Sequence, residues 1–296
     1  MTTPTPNPHT TANPLQTENP AIVGILTDQA DLDAMHALTT FPVTDYTDYL
    51  HHTDDLLRTH TANGQHTIAV LFDPDDYTDY CTEHSLDPTL PTSRARYTAQ
   101  DAFPRAHVTY HGQDLPDLIA DLVDETTHNA TWQYATETLN QLLGPCTSCG
   151  YDIGRAAQAH AARLTTTLLN HTNAGPSTLV CAVSAPDEIL HATLHTEHDA
   201  LPDEDEARYF TTVLAAGLAT NSPGGTLLRT AVPGARERVY GWRIRQGSLQ
   251  PLTAAETFDA YCTDPVTGDP TGPEPGVDHC AGFDLPHDTG RPAHDH

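Results

Sequence analysis

Cys146 and Cys149 stand two residues apart, with Gly150 directly behind them. Two residues between thiols let both sulfurs turn toward one metal ion, and a following glycine permits the tight knuckle found at zinc sites. Four-coordinate zinc needs two more ligands, and Cys181, Cys262, His279 and Cys280 are the candidates. Two further readings stay open: a redox pair whose Cys149 thiolate is favoured by the helix starting near Asp152, and an unligated turn.

Arginine makes the second concentration of chemistry. Arg229, Arg236, Arg238, Arg243 and Arg245 fall in one predicted hairpin, interleaved with Tyr240 and Trp242. Guanidinium groups beside aromatic rings can grip a phosphate, a carboxylate or a base face. Arg229, Arg236, Arg238, Arg243 and Trp242 are therefore the candidate site for a small anionic ligand or a protein partner. The alternative is that these arginines pair with the chain's own carboxylates.

Asp28 and Asp73 each follow an apolar, strand-like run, where open α/β sheets bind ligands. They support a second reading, a divalent-metal-dependent enzyme performing phosphoryl chemistry. Asp73-Pro74-Asp75-Asp76 resembles the aspartyl-phosphate loop of haloacid dehalogenase-type phosphatases. However, Tyr77 stands where that family has Thr or Val, and no lysine is present for its charge-neutralising role. Helix capping is the simpler account of both aspartates. His191 and His195 would share a metal on a helix, but on a strand they sit roughly 13 Å apart on one face. The surrounding pattern favours a strand.

The chain has no lysine: all 13 of its Lys+Arg residues are Arg, against 40 Asp+Glu, for a formal charge of -27. That excludes a P-loop lysine and a Schiff-base lysine. The charge argues against nucleic acid, whose binding rests on neutralising phosphates, and against anionic membrane surfaces. The first Lys or Arg is Arg58, so no basic segment of a secretory signal is expected, and no apolar run reaches membrane-spanning length. A cytoplasmic setting with reduced cysteines follows as the expectation.

These residues need elements to hold them. Residues 1–20 read as a disordered arm. Residues 21–112 read as an α/β region with an open, mostly parallel sheet. Its strands are at 22–26, 67–72 and 106–110, and its helices open at Asp28, Asp45 and Asp73. The segment Asp-Tyr-Thr-Asp-Tyr occurs at 45–49 and again at 76–80, which raises the question of a duplicated unit. Residues 113–263 read as a helical and α+β region. It starts with a long helix over 115–143, and Asp152 caps the next. Antiparallel hairpins follow at 178–196 and 226–244, with a helix after Pro202 between them, and Thr253 and Glu256 form a capping box. Residues 264–296 read as a loose tail rich in Pro, Gly, Asp and His.

The stretches VLFDPDDYTDYC (70–81), GPCTSCGYDIGRAA (144–157) and LLRTAVPGARERVYGWRIR (227–245) resemble pieces of an uncharacterised family of high-GC actinobacteria. The resemblance covers most of residues 22–283 and implies a bacterial cytoplasmic setting with no known activity. The residues themselves point first to an acidic, non-enzymatic binding or regulatory protein, with Cys146 and Cys149 as structural residues and candidate zinc ligands. Protein purified without chelator is then expected to carry about one zinc per chain, lost in Cys146→Ser. An absence of zinc together with six titratable thiols would leave the pair as a plain turn.

Overall fold

The structure is a computed structural model. It describes residues 20–39, 43–100, 106–142, 144, 152–171, 175–186, 188–197, 200–231, 234–264 and 267–285. The chain divides into two compact units, residues 1–129 and 130–296. Among the described residues no helix is long and apolar enough to cross a membrane.

The first unit is α/β. β1 (Ala21–Ile25) and β2 (Thr67–Leu71) pair in parallel, and β3 (His107–Tyr110) adds to β2 antiparallel, giving a mixed sheet of order β1-β2-β3. β2 is central and buried along most of its length, which explains its unbroken apolar run. Four helices surround the sheet: α1 (Gln29–Leu38), α2 (Tyr46–Ala62), α3 (Pro74–Glu83) and α4 (Pro91–Gln100). Asp28, Asp45 and Asp73 cap α1, α2 and α3, each accepting backbone N–H bonds from the first turn. The repeated pentapeptide does not mark equivalent positions. Its first copy begins at the cap residue Asp45, whereas its second begins at Asp76, inside the first turn capped by Asp73. One core cluster packs Leu26, Leu32, Met35 and Phe72 with Tyr77 and Tyr97; another packs Val23, Ile25 and Leu57 with Leu118 and Leu122.

The long helix α5 (Leu115–Gln141) runs across the division between the units. Leu115, Leu118 and Leu122 serve the first core, and Ala135 and Leu139 serve the second.

The second unit is α+β. Its sheet has the order β5-β4-β6-β7-β8 and is built from β4 (Ser177–Ser184), β5 (Ile189–Thr196), β6 (Gly224–Thr230), β7 (Glu237–Arg245) and β8 (Ser248–Pro251). All pairs along that path are antiparallel. β9 (Val277–Cys280), inside the stretch read as loose, pairs in parallel with β7. Its short polar sequence carries no strand signal of its own, and β7 supplies the partner.

α6 (Ile153–Asn170) and α7 (Glu204–Thr220) cover one face, capped by Asp152 and Asp203. α7 is buried nearly all round, with Phe210, Val213, Leu214 and Leu218 in the core. Each such side chain contributes about 1.5–3 kcal/mol by leaving water. Gly217 lets α7 approach the sheet: a Cβ there would lie 2.7 Å from Val183 Cγ2 and 2.8 Å from Ile244 Cδ1. Gly217→Ala would raise helix propensity by about 1 kcal/mol. It is nonetheless expected to destabilise the protein by roughly 1–3 kcal/mol through overpacking. Urea unfolding measures this, and a gain in stability would show that α7 can shift outward.

Candidate functional site

Among the described residues of the second unit, the second face of the C-terminal sheet is only partly covered. α8 (Ala254–Tyr261), held by the Thr253–Glu256 capping box, lies over β7 and β9. Gly241 permits this approach, since a Cβ there would stand 2.9 Å from Thr257 Oγ1. The strands beyond α8 form the floor of a groove of about 610 Å³. That volume lies within the ordinary range of small-ligand sites.

Register organises the floor into rows. His195, Thr178, Arg229 and Val239 stand opposite one another across β5, β4, β6 and β7. The next row holds Thr193, Val180, Leu227 and Gly241. His191 and Ala182 follow in the third. The groove therefore has an apolar middle (Val180, Ala182, Leu227 and Val239) with polar groups at either end. Val180 is 38% exposed, unusual for a valine in the middle of a sheet.

Arg229 organises one end. Its Nε donates to Glu237 Oε2, and its Nη2 also reaches that oxygen. Nη1 donates to the Tyr261 hydroxyl at 2.9 Å and to Glu274 Oε2 at 3.0 Å, while Nη2 donates to Glu274 Oε1 at 2.8 Å. The Tyr261 hydroxyl donates to Glu274 Oε2 at 2.7 Å. Arg229 first, then Tyr261, holds the Glu274 carboxyl below the usual carboxylate range. The same Glu274 contact is the largest influence raising the Arg229 guanidinium above its ordinary value. Burial, then the bond to Glu274, pushes the Tyr261 phenol up to about 12.

His191 and His195 line the opposite side on β5, four residues apart along a strand as expected. The outer edge of β5 is blunted by α7: His195 N donates to Glu206 Oε2 at 3.0 Å, and Tyr209 donates its hydroxyl to His191 O at 3.0 Å.

The arginine hairpin is not an open cradle. Arg229 is held as described, Arg236 pairs with Asp278 at 2.7 Å, and Arg243 pairs with Glu256 at 3.1 Å. Alternation along β7 places Arg238 on the opposite face from Arg243. Arg238 is exposed, and its guanidinium is raised chiefly by a bond to Tyr240. Arg245 is exposed at the end of β7. Trp242, expected among the ligand-binding residues, is a core residue at 1% exposure, and its indole donates to Phe283 O at 3.0 Å. The groove thus takes one of the expected residues, Arg229, and adds Glu237, Tyr261 and the β4–β5 positions. Two-residue alternation held a signal for the exclusion of Trp242; nothing local marked Glu274 or Tyr261.

Cys146 and Cys149 lie outside the described residues. Of the suggested further ligands, Cys181 is fully buried between the sheet and the helices, and burial pushes its thiol up to about 12, so it stays protonated. His279 packs against Phe258 and Tyr261, with ring centroids 5.0 and 5.3 Å away. Among the described residues no three His, Cys, Asp or Glu side chains converge where they could hold a metal ion. In the N-terminal unit, Asp28 Oδ1 accepts from Asp31 N, and Asp73 Oδ1 accepts from Asp75 N and Asp76 N.

Residues 10–113 match the model of a family described as a domain of unknown function (DUF8829). The match spans β1 to β3 and contains one of the three stretches on which the resemblance to an uncharacterised family was drawn, VLFDPDDYTDYC. No curated protein and no solved structure matches the chain.

Arg229→Ala is expected to leave Glu237 and Glu274 facing each other without a counter-charge, and to loosen the segment leading into β9. Limited proteolysis within 267–285 should quicken, with a stability loss of roughly 1 kcal/mol, since the network is partly solvent-screened. The Glu274 contribution should be fully present above the unfolded carboxyl pKa. It should be lost as pH falls through the depressed folded value, so acid should mimic the substitution. Unchanged cleavage in Arg229→Ala would show that the network does not hold the segment.

Proposed function

We propose that this protein is a non-enzymatic binding protein, and that the open face of its C-terminal sheet is where a ligand with an apolar body is held. The observation that carries the reading is the groove itself. A sheet face with apolar residues at its middle (Val180, Ala182, Leu227 and Val239) lies beside α8, with no other covering element among the described residues, and convergent polar groups stand at the Arg229 end. Sites for small ligands share this composition, with apolar walls and a few placed polar groups.

The arrangement supports binding over turnover. The polar groups at the Arg229 end are engaged with one another, which suits a rigid receptor better than proton transfer. The groove is preferred here to an arginine-borne anionic site because the guanidiniums of Arg229, Arg236 and Arg243 face carboxylates of the same chain. Structural zinc at Cys146 and Cys149 remains a separate proposal, tested by the metal analysis above.

Methyl-labelled protein titrated with indole, a compact apolar probe, tests the groove. Shifts should concentrate at the Val180, Leu227 and Val239 methyls and vanish in Val180→Arg. Shifts scattered over both units, or none at these three residues, would remove the groove as a binding site.

A further inference from the structure

We propose that the groove takes an organic ammonium: an amine carried on an apolar body that spans the floor from β7 to β4. The proposal rests on the reading of the groove as a ligand site and adds the chemical class of its ligand.

Hydrogen-bond accounting at the Arg229 end points to that class. A guanidinium has five N–H donors. Here Nε serves Glu237, Nη1 serves Tyr261 and Glu274, and Nη2 serves Glu274, so four are hydrogen-bonded, and Nη2 also lies at ion-pair distance from Glu237. The Tyr261 hydroxyl proton goes to Glu274. These donors are therefore turned to groups of the same chain, whereas acceptors are in excess. Two carboxylates surround one guanidinium, and Glu237 Oε1 takes no bond among the described residues. Glu197 adds a further exposed carboxylate to the lining.

An anion placed here would meet net negative charge, a Tyr261 proton already given to Glu274, and a guanidinium already flanked by two carboxylates. An ammonium group supplies the missing donors and the opposite charge, in a charge-assisted bond stronger than a neutral one. A second copy of this chain fits poorly, because two surfaces of formal charge -27 repel each other. The floor from β7 through β6 to β4 is two strand spacings wide, roughly 10 Å, the reach of a chain of about eight carbons.

Three probes with one apolar body and different charge decide the matter: n-octylammonium, 1-octanol and octanoate. Each is titrated calorimetrically into the full-length protein at pH 7.5 and low salt. Octylammonium should bind about fivefold or more tightly than octanol, and octanoate more weakly than octanol. The preference should shrink at high salt, as charge screening requires. Glu237→Gln should reduce it further, and Glu197→Gln, which leaves the Arg229 network intact, should reduce it in the same direction.

Failure of all three probes to bind would overturn both the groove and the proposal. Equal binding of octanol and octylammonium would keep the groove and overturn the ammonium. Tightest binding of octanoate would overturn it in favour of an anion. A concentration-dependent dimer abolished by Val180→Arg would give the face to a second copy and overturn it as well.

Discussion

Burial of α7 is the constraint on which the C-terminal unit depends. The helix is apolar on more than one side, with buried residues from Tyr209 through Leu218. Such a helix needs cover on more than one side, and it finds β4 and β5 on one and α6 on another. Two consequences follow. Its acidic first turn is set beside β5, so that Glu206 and Tyr209 occupy backbone groups along that edge. Its bulk also occupies one face of the sheet, leaving the other face to the eight-residue α8. A short helix cannot cover the sheet, and the part that no other described residue of this unit covers is the groove.

The arginines follow from charge and alternation together. With 40 acidic residues to 13 arginines, a guanidinium on this surface finds carboxylates at hand. Pairing with them lowers local repulsion, although exposed pairs contribute little individually. Alternation then divides the hairpin between two environments. Trp242 and Ile244 go to the α7 side, while Glu237, Val239 and Arg243 go to the α8 side. Residues adjacent in sequence therefore do different work. Arg243 anchors α8 through Glu256, and Trp242 anchors the C-terminal segment through Phe283.

The parts of this fold that were legible in the sequence are those decided locally. Asp28, Asp45, Asp73, Asp152 and Thr253 each cap a helix where cap chemistry predicts one. Apolar alternation located β4 to β7 within a few residues. What stayed hidden was decided at long range. α4 has few apolar residues and is held by Ser93 and Tyr97, the latter packed on Phe72 and Tyr77. β9 is a strand because β7 offers it an edge. The groove exists only through register, which sets Thr178 beside Arg229 and Val180 beside Leu227 across a connection of more than forty residues. No local pattern reports such a meeting. Trp242 misled for the opposite reason: an aromatic among arginines resembles a binding surface, and only period-two geometry separates the two faces.

The family match and the groove lie in different parts of the chain. The match ends at residue 113, whereas the groove is lined by residues from Pro176 to Thr263. Whatever chemistry belongs to the matched domain must be sought among β1 to β3 and their helices, where Asp28 and Asp73 end adjacent parallel strands. The groove is lined by residues of the second unit, so substitutions at Val180 or Glu237 change that unit's sequence and not that of the matched domain. Conversely, a magnesium-dependent activity that disappeared in Asp73→Asn would locate function in the first unit and leave the groove's ligand unaffected. The two units thus pose separate chemical questions, and each can be answered in the intact chain.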